Sequence, residues 1–332
     1  MATQIRAVSI RNRAALCEGT DPAAMNFHAS LAETSTRPHL LMCAPRHFAV
    51  TYSINPWMDP QSWAGDAQLH SEAERQWAAL HDALTAAGAL VETIEPVADL
   101  PDLVFTANAA VVLDRKAVLS RFRHPQRRDE EPIFAAAFAA LAERAILDDV
   151  SRLPDGIILE GAGDCIWDAK RRLFWLGCGF RSDARAASVL NRQFGRPCLP
   201  LPLADACFYH LDTALCALPC GGIIYYPGAF TPAARATIEA HVRPEHRIAL
   251  DRADAERFAA NAVCIGNTIV LSSCGSSLRT ILNERGYAVV ETPLHAFLRS
   301  GGSACCLTLR LDYRSDLTGG RSSLLKQTTA RG

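Results

Sequence analysis

The 332 residues, 49% of them hydrophobic, can bury a large core as one body or two. A formal net charge of −1 excludes the basic excess of a general nucleic-acid or anionic-membrane binder. The longest apolar runs, such as residues 133–141, fall far short of the roughly 18 residues of a membrane span.

In chain order, residues 1–37 are polar and irregular, and the expectation there is a flexible N-terminal arm. From 38 to 312, β-rich runs alternate with Ala-rich amphipathic helices. Leu69, Ala73, Trp77, Leu80 and Leu84 predict a helix over 67–87, stopped by Gly88. Residues 184–194 and 232–242 read the same way, the second with Pro232 near its start. No Gly/Ser linker divides this stretch, so 38–312 is expected to form a single α/β domain. Residues 313–332, rich in Arg, Ser, Gly and Thr, are expected to form a polar C-terminal tail.

The 12 cysteines include no C-x-x-C pair. Cys165, Cys178, Cys216, Cys264 and Cys274 lie in apolar runs, where cysteine serves as a small core residue. A disulfide framework belongs to small secreted domains and a zinc site needs paired ligands. The expectation is a reduced, cytoplasmic protein without metal or cofactor, whose homo-oligomeric state stays open.

One pattern exceeds any single element. The runs VFTANAAVVL, IILEGAGDCIW, CFYHLDTALCAL, FAANAVCIG and SACCLTLRL each carry one polar residue at the inner end of a strand-like segment. Their markers Asn108, Glu160, His210, Asn261 and Cys306 are spaced by 52, 50, 51 and 45 residues. Second strands follow several of them, then helices. A period near 50 with this content predicts repetition of one ββαβ unit around an axis. Such a ring would aim the polar strand ends at a common pocket; the alternative is an ordinary α/β sheet with accidental spacing.

Each candidate alone has a plain structural reading. Cys305 and Cys306 suit a core, and His210 suits a hydrogen-bonded buried histidine. If His210-Leu-Asp212 is a strand, period two turns both polar groups to one side. Glu160 and Asp164 frame glycines in L-E-G-A-G-D, as in a turn or a close backbone approach. Asn108 lies among apolar residues, and a buried amide needs partners. Together they fit one substrate class. A Cys–His pair provides nucleophile and proton carrier. Converging carboxylates hold a planar cation, and a guanidinium matches them bidentately. Arg127 and Arg181 could clamp a carboxylate at the far end, so the inferred partner is a small guanidino amino acid.

The set F-T-A-N-A, L-E-G-A-G-D, Y-H-L-D-T and S-G-G-S-A-C-C resembles the guanidino-group-modifying superfamily over about residues 38–312. That superfamily comprises arginine deiminases, dimethylarginine dimethylaminohydrolases, amidinotransferases and arginine dihydrolases. The resemblance implies a five-bladed α/β propeller, the pentein fold, in agreement with the period. It implies Cys306 as nucleophile, with Cys305 turned into the core, and His210 as acid and base. Glu160 and Asp212 would hold the guanidinium. Asn55, Asp102, Arg127, Arg181 and the Ser300 backbone would shape the rest of the site, with Asp164 orienting its neighbours.

Two departures sharpen the expectation. Asn108 replaces an acid usual in deiminases and dimethylarginine hydrolases, and Asp212 replaces a lysine of the latter. Both, with I-N-P-W-M, resemble the arginine dihydrolases, which take arginine to ornithine, carbon dioxide and two ammonia. Dimethylarginine hydrolase, deiminase and amidinotransferase remain rival readings, and a non-catalytic pentein is a rival of another class. Thiolate and carboxylates would supply nucleophile and charge stabilisation, so the resemblance calls for no metal.

Overall fold

A computed structural model describes residues 37–316; the rest of the expected arm and tail lies outside the described residues. Residues 313–316, at the start of the expected tail, are described and reach back to the body through Ser315. The Ser315 amide and hydroxyl both donate to the Asp114 carboxylate, the amide at 2.6 Å, and Ser315 is buried.

Among the described residues, five three-stranded sheets repeat in chain order. The first joins β1 (His39–Cys43) and β2 (Leu90–Ile94) to a strand from the chain's other end. The next three are β3 (Ala110–Leu113), β4 (Lys116–Leu119) and β5 (Asp149–Arg152); β6 (Cys165–Asp168), β7 (Leu173–Cys178) and β8 (Cys198–Pro202); and β9 (Leu215–Ala217), β10 (Ile223–Tyr225) and β11 (Arg247–Ala249). The last complete repeat is β12 (Val263–Ile265), β13 (Thr268–Leu271) and β14 (Ala288–Glu291), after which β15 (Leu309–Arg310) returns to β1.

Within each of the four complete repeats the first pair is antiparallel and the second parallel. A parallel pair needs a crossover, and a helix supplies it. These helices are α1 (Leu69–Ala86), α2 (Glu130–Glu143), α3 (Ala186–Phe194), α4 (Pro232–His241) and α5 (Ser276–Glu284). Their buried faces follow helical spacing, as in Leu69, Ala73, Gln76, Leu80 and Leu84 of α1. The helices expected over 67–87, 184–194 and 232–242 are thus present with slightly shorter ends.

The arrangement is the five-bladed α/β propeller, the pentein fold. Its inner strands β3, β6, β9, β12 and β15 surround one axis. Val111, Cys165, Cys216, Cys264 and Leu309, one from each, line a common apolar cavity of about 740 Å³. The outer strands β2, β5 and β14 are half-exposed, as edges of a closed ring should be. Apolar clusters fill the spaces between blades, around Trp175, Phe138 and Phe297 for example.

Closure rests on a short contact. In β1 and β15, Leu40 pairs with Arg310 and Leu41 with Leu309, antiparallel. Leu40 is fully buried in the cluster that includes Phe48, Phe297, Cys306 and Leu307. Leu40→Ala is therefore expected to cost about 2–5 kcal/mol. Urea unfolding checks this as a lower midpoint at unchanged slope, and an unshifted midpoint would contradict the closure argument.

Candidate active site

The polar markers sit where the inner strands begin, but the backbone there is not strand. Asn108 ends a 3-10 turn (Thr106–Asn108) before β3, and Glu160 precedes the short helical turn Gly161–Asp164 before β6. His210 is extended and then followed by the 3-10 turn Leu211–Thr213, so the expected strand across His210 and Asp212 is absent. Cys305 and Cys306 likewise lie in a turn, with β15 starting only at Leu309. At His210–Asp212 the turn sends the two side chains to different partners, Glu160 and Cys306.

Ile54, Asn55, Asp102, Phe105, Asn108, Arg127, Arg181, Tyr209, His210, Ser300, Gly302 and Cys306 line a second cavity, of about 280 Å³. Eight of the expected site residues are thus brought together at one mouth of the ring. Glu160 and Asp212 lie directly behind, bonded to His210 and Cys306. Asp164 does not line the cavity. Its carboxylate accepts from the Ser182 hydroxyl at 2.6 Å and the Leu211 amide at 3.0 Å, so it holds the segment carrying His210. Cys305 lines the apolar cavity instead, opposite its neighbour, though a turn rather than strand alternation separates the two side chains.

The Cys306 thiol donates to Asp212 Oδ2 at 3.1 Å. The other Asp212 oxygen, Oδ1, is buried with no hydrogen-bond partner among the described residues. A buried carboxylate oxygen left open costs free energy, and an incoming N–H donor would recover it. Burial pushes Asp212 up to about 7, against the pull of the Cys306 thiol and of the Asn261 amide and Thr213 backbone N–H nearby. Burial, then the Asp212 charge, pushes the Cys306 thiol well above its ordinary range.

His210 Nε2 lies 2.7 Å from Glu160 Oε2, so it donates to that carboxylate. Arg181 Nη1 donates to the same oxygen at 2.9 Å, and the Arg123 amide to Oε1 at 3.1 Å. Burial opposes the charge on Glu160, but Arg181 and His210 beside it hold the carboxyl below its usual range. Burial drives His210 down to about 4 despite Glu160. At neutral pH this setting therefore favours a neutral thiol and a neutral imidazole.

Arg127 lines the cavity, yet its guanidinium is already engaged. It donates to Glu130 at 2.8 and 2.7 Å, to Asn108 Oδ1 at 2.8 Å and to the Asp102 carbonyl at 3.1 Å. Its place is behind Asn108, whose Nδ2 donates to the Glu160 carbonyl at 3.1 Å. The amide of Asn108 is therefore held in one orientation. Gly163 is required beside it, since a Cβ there would lie 2.3 Å from Asn108 Nδ2. At the rim, Asn55 Nδ2 donates to the Ser300 carbonyl at 3.0 Å, and Tyr52 donates to Asp102 Oδ2 at 2.8 Å. Arg181 lies over the Tyr209 ring at 4.5 Å.

Several contributors are absent from the expected site list. Tyr209, Phe105 and Ile54 line the cavity, and Glu130 balances Arg127. Asn261, singled out only as a repeat marker, touches Cys306 Sγ at 3.0 Å. Among the described residues no group of three or more His, Cys, Asp or Glu is placed to hold a metal ion, and no helix is long and apolar enough to cross a membrane.

Fold and site together define a pentein with a buried Cys–Asp and His–Glu pair at one mouth of its ring. The chain belongs to the dimethylarginine dimethylhydrolase family, whose eukaryotic N,N dimethylarginine dimethylhydrolase model matches residues 47–312. It is 41% identical over 274 residues to the bifunctional arginine dihydrolase/ornithine cyclodeaminase ArgZ of Synechocystis, covering 82% of this chain and 37% of that protein. The chain thus spans well under half the length of that relative. It is 36% identical over 289 residues to an N(G),N(G)-dimethylarginine dimethylaminohydrolase of Mycobacterium tuberculosis, covering 87% of this chain and 91% of that one. Among solved structures, the substrate-bound N-terminal domain of ArgZ, a cyanobacterial arginine dihydrolase, superposes with TM-score 0.78 at 39% identity. That match covers 84% of this chain and 99% of the domain.

The thiol's setting has a direct readout. Iodoacetamide labelling of Cys306, followed by mass spectrometry of its peptide, is expected to rise with pH without a plateau up to about pH 9. Only the thiolate reacts, and burial beside Asp212 keeps it scarce. A plateau near pH 7 would show a resting thiolate and contradict the electrostatic picture.

Proposed function

We propose that this chain hydrolyses the guanidino group of L-arginine to ornithine, carbon dioxide and two ammonia through a covalent intermediate on Cys306. The observation that carries the reading is the open Asp212 Oδ1 beside the Cys306 thiol, a buried acceptor placed for a guanidinium N–H. Similarity to ArgZ over the whole of its dihydrolase domain supports the choice of reaction. The free cysteines among the described residues fit a reducing, cytoplasmic setting.

A bound guanidinium brings a positive charge to the thiol, offsets Asp212 and favours ionisation. Cys306 sulfur adds to the guanidinium carbon while the C–N bond to one amino group breaks. The thiol proton, carried by His210, leaves on that nitrogen as ammonia. Glu160 stabilises the imidazolium during the transfer. Water then adds to the S-amidino carbon. Loss of the second amino group as ammonia leaves an S-carbamoyl cysteine, Cys–S–C(=O)–NH–R. A second water frees the thiol and a carbamate of ornithine, which loses carbon dioxide. Loss of sulfur instead of the second amino group would give citrulline.

The neutral Asn108 amide, fixed by Arg127 and the Glu160 carbonyl, is the group we hold responsible for the second deamination. A second reading, hydrolysis of N-methylated arginines, is favoured by the mycobacterial relative, which aligns over 91% of its length.

Purified protein with L-arginine is expected to yield two ammonia per ornithine and no citrulline, and Cys306→Ser is expected to abolish turnover. Turnover of dimethylarginine but not arginine would move the second reading ahead, and an active Cys306→Ser would sink both. Asn108→Asp is expected to shift the products toward citrulline; an unchanged ornithine-to-citrulline ratio would remove Asn108 from this role.

A further inference from the structure

We infer that Asn261 is a catalytic residue that stabilises the Cys306 sulfur as thiolate once its proton leaves and fixes the turn that presents it. Every hydrogen-bonding position of its fully buried side chain is used. Oδ1 accepts from the Cys305 amide at 2.8 Å and the Cys306 amide at 3.2 Å. Nδ2 donates to the Asp212 carbonyl at 3.1 Å and reaches Cys306 Sγ at 3.0 Å. The two backbone N–H groups settle the amide's orientation, because a flipped side chain would set donors against donors. An N–H therefore faces the sulfur.

This contact acts in the opposite sense to Asp212. The neutral thiol can give its proton to Asp212 Oδ2 and accept from Asn261 at once. When the proton departs, the Asp212 contact becomes repulsive and the Asn261 bond becomes charge-assisted. A hydrogen bond to an ionised acceptor is roughly twice as strong as a neutral one, so the amide favours the thiolate selectively. The Ser303 backbone amide also faces the sulfur, with Tyr209 and His210 across the cavity, while the Cys305 thiol acts on it from the apolar side. The Ser303 amide is the other contact that favours the charged sulfur. Asn261 also completes the set of repeat positions formed by Asn108, Glu160, His210 and Cys306, all at the start of an inner strand.

The inference rests on Cys306 being the nucleophile, and labelling tests it without any substrate. In Asn261→Asp, one oxygen still accepts the Cys305 and Cys306 amides while the other replaces the donor at the sulfur. Iodoacetamide labelling of Cys306 at fixed pH is expected to slow at least tenfold, with the rise displaced to higher pH. Asn261→Ala is expected to slow it less, since it removes a donor without adding a charge. Turnover should fall in the same order, while arginine affinity measured in a Cys306→Ala background stays within about threefold. If Asn261→Ala does not fold, Asn261→Asp carries the test alone. A folded Asn261→Asp with the wild-type labelling profile would overturn the role of Asn261 and leave Cys306 untouched. An active Cys306→Ala would overturn the reading beneath it.

Discussion

The ring is closed by two residues of β15 lying against β1, and the rest of the molecule depends on that pairing. Each blade buries its faces only against its neighbours, so an open ring would expose two blade faces at once. Leu309 begins β15 three positions after Cys306, which ties closure of the fold to placement of the sulfur. The same Leu40 that anchors β1 shares a cluster with Cys306 and Leu307. Stability and reactivity are therefore coupled through a few ångströms of packing.

Around the axis the problem is electrostatic. Asp102, Glu130, Glu160, Asp164, Asp212, Arg127, Arg181 and His210 are all buried near one mouth. Buried charges persist only when paired, and nearly every group here has a named partner. Glu130 neutralises Arg127; Arg181 and His210 share Glu160; Ser182 and a backbone amide hold Asp164. Against this background the unpaired Oδ1 of Asp212 stands out. Among these charged groups of the described residues it is the one atom left open, and a donor of the right shape would complete it.

Much of this was legible in the sequence because repetition leaves a period. The spacing of Asn108, Glu160, His210, Asn261 and Cys306 already described a ring with a common pocket. The local geometry was less legible. His210 and Asp212 were expected to share a strand face, whereas a 3-10 turn sends one to Glu160 and the other to Cys306. Arg127 read as a free cation because its partner Glu130 looks like any acid opening a helix until burial is known. Asp164 sits in the same glycine motif as Glu160 but turns toward backbone. Asn261 was visible as a marker, but its meaning lies in a contact with a residue 45 positions away. Such contacts come from the closed ring, and a linear pattern does not contain them.

The order of parts along the chain has a consequence for biosynthesis. Asn55 and Asp102 are made before Glu160 and His210, and Cys306 after all of them. Blades can form one after another as the polypeptide emerges, but the first cannot be completed until β15 arrives. A nascent chain therefore carries most of a charged pocket without its sulfur. The pocket is completed in the same event that seals the ring, because the segment that carries the sulfur is the one that leads into β15.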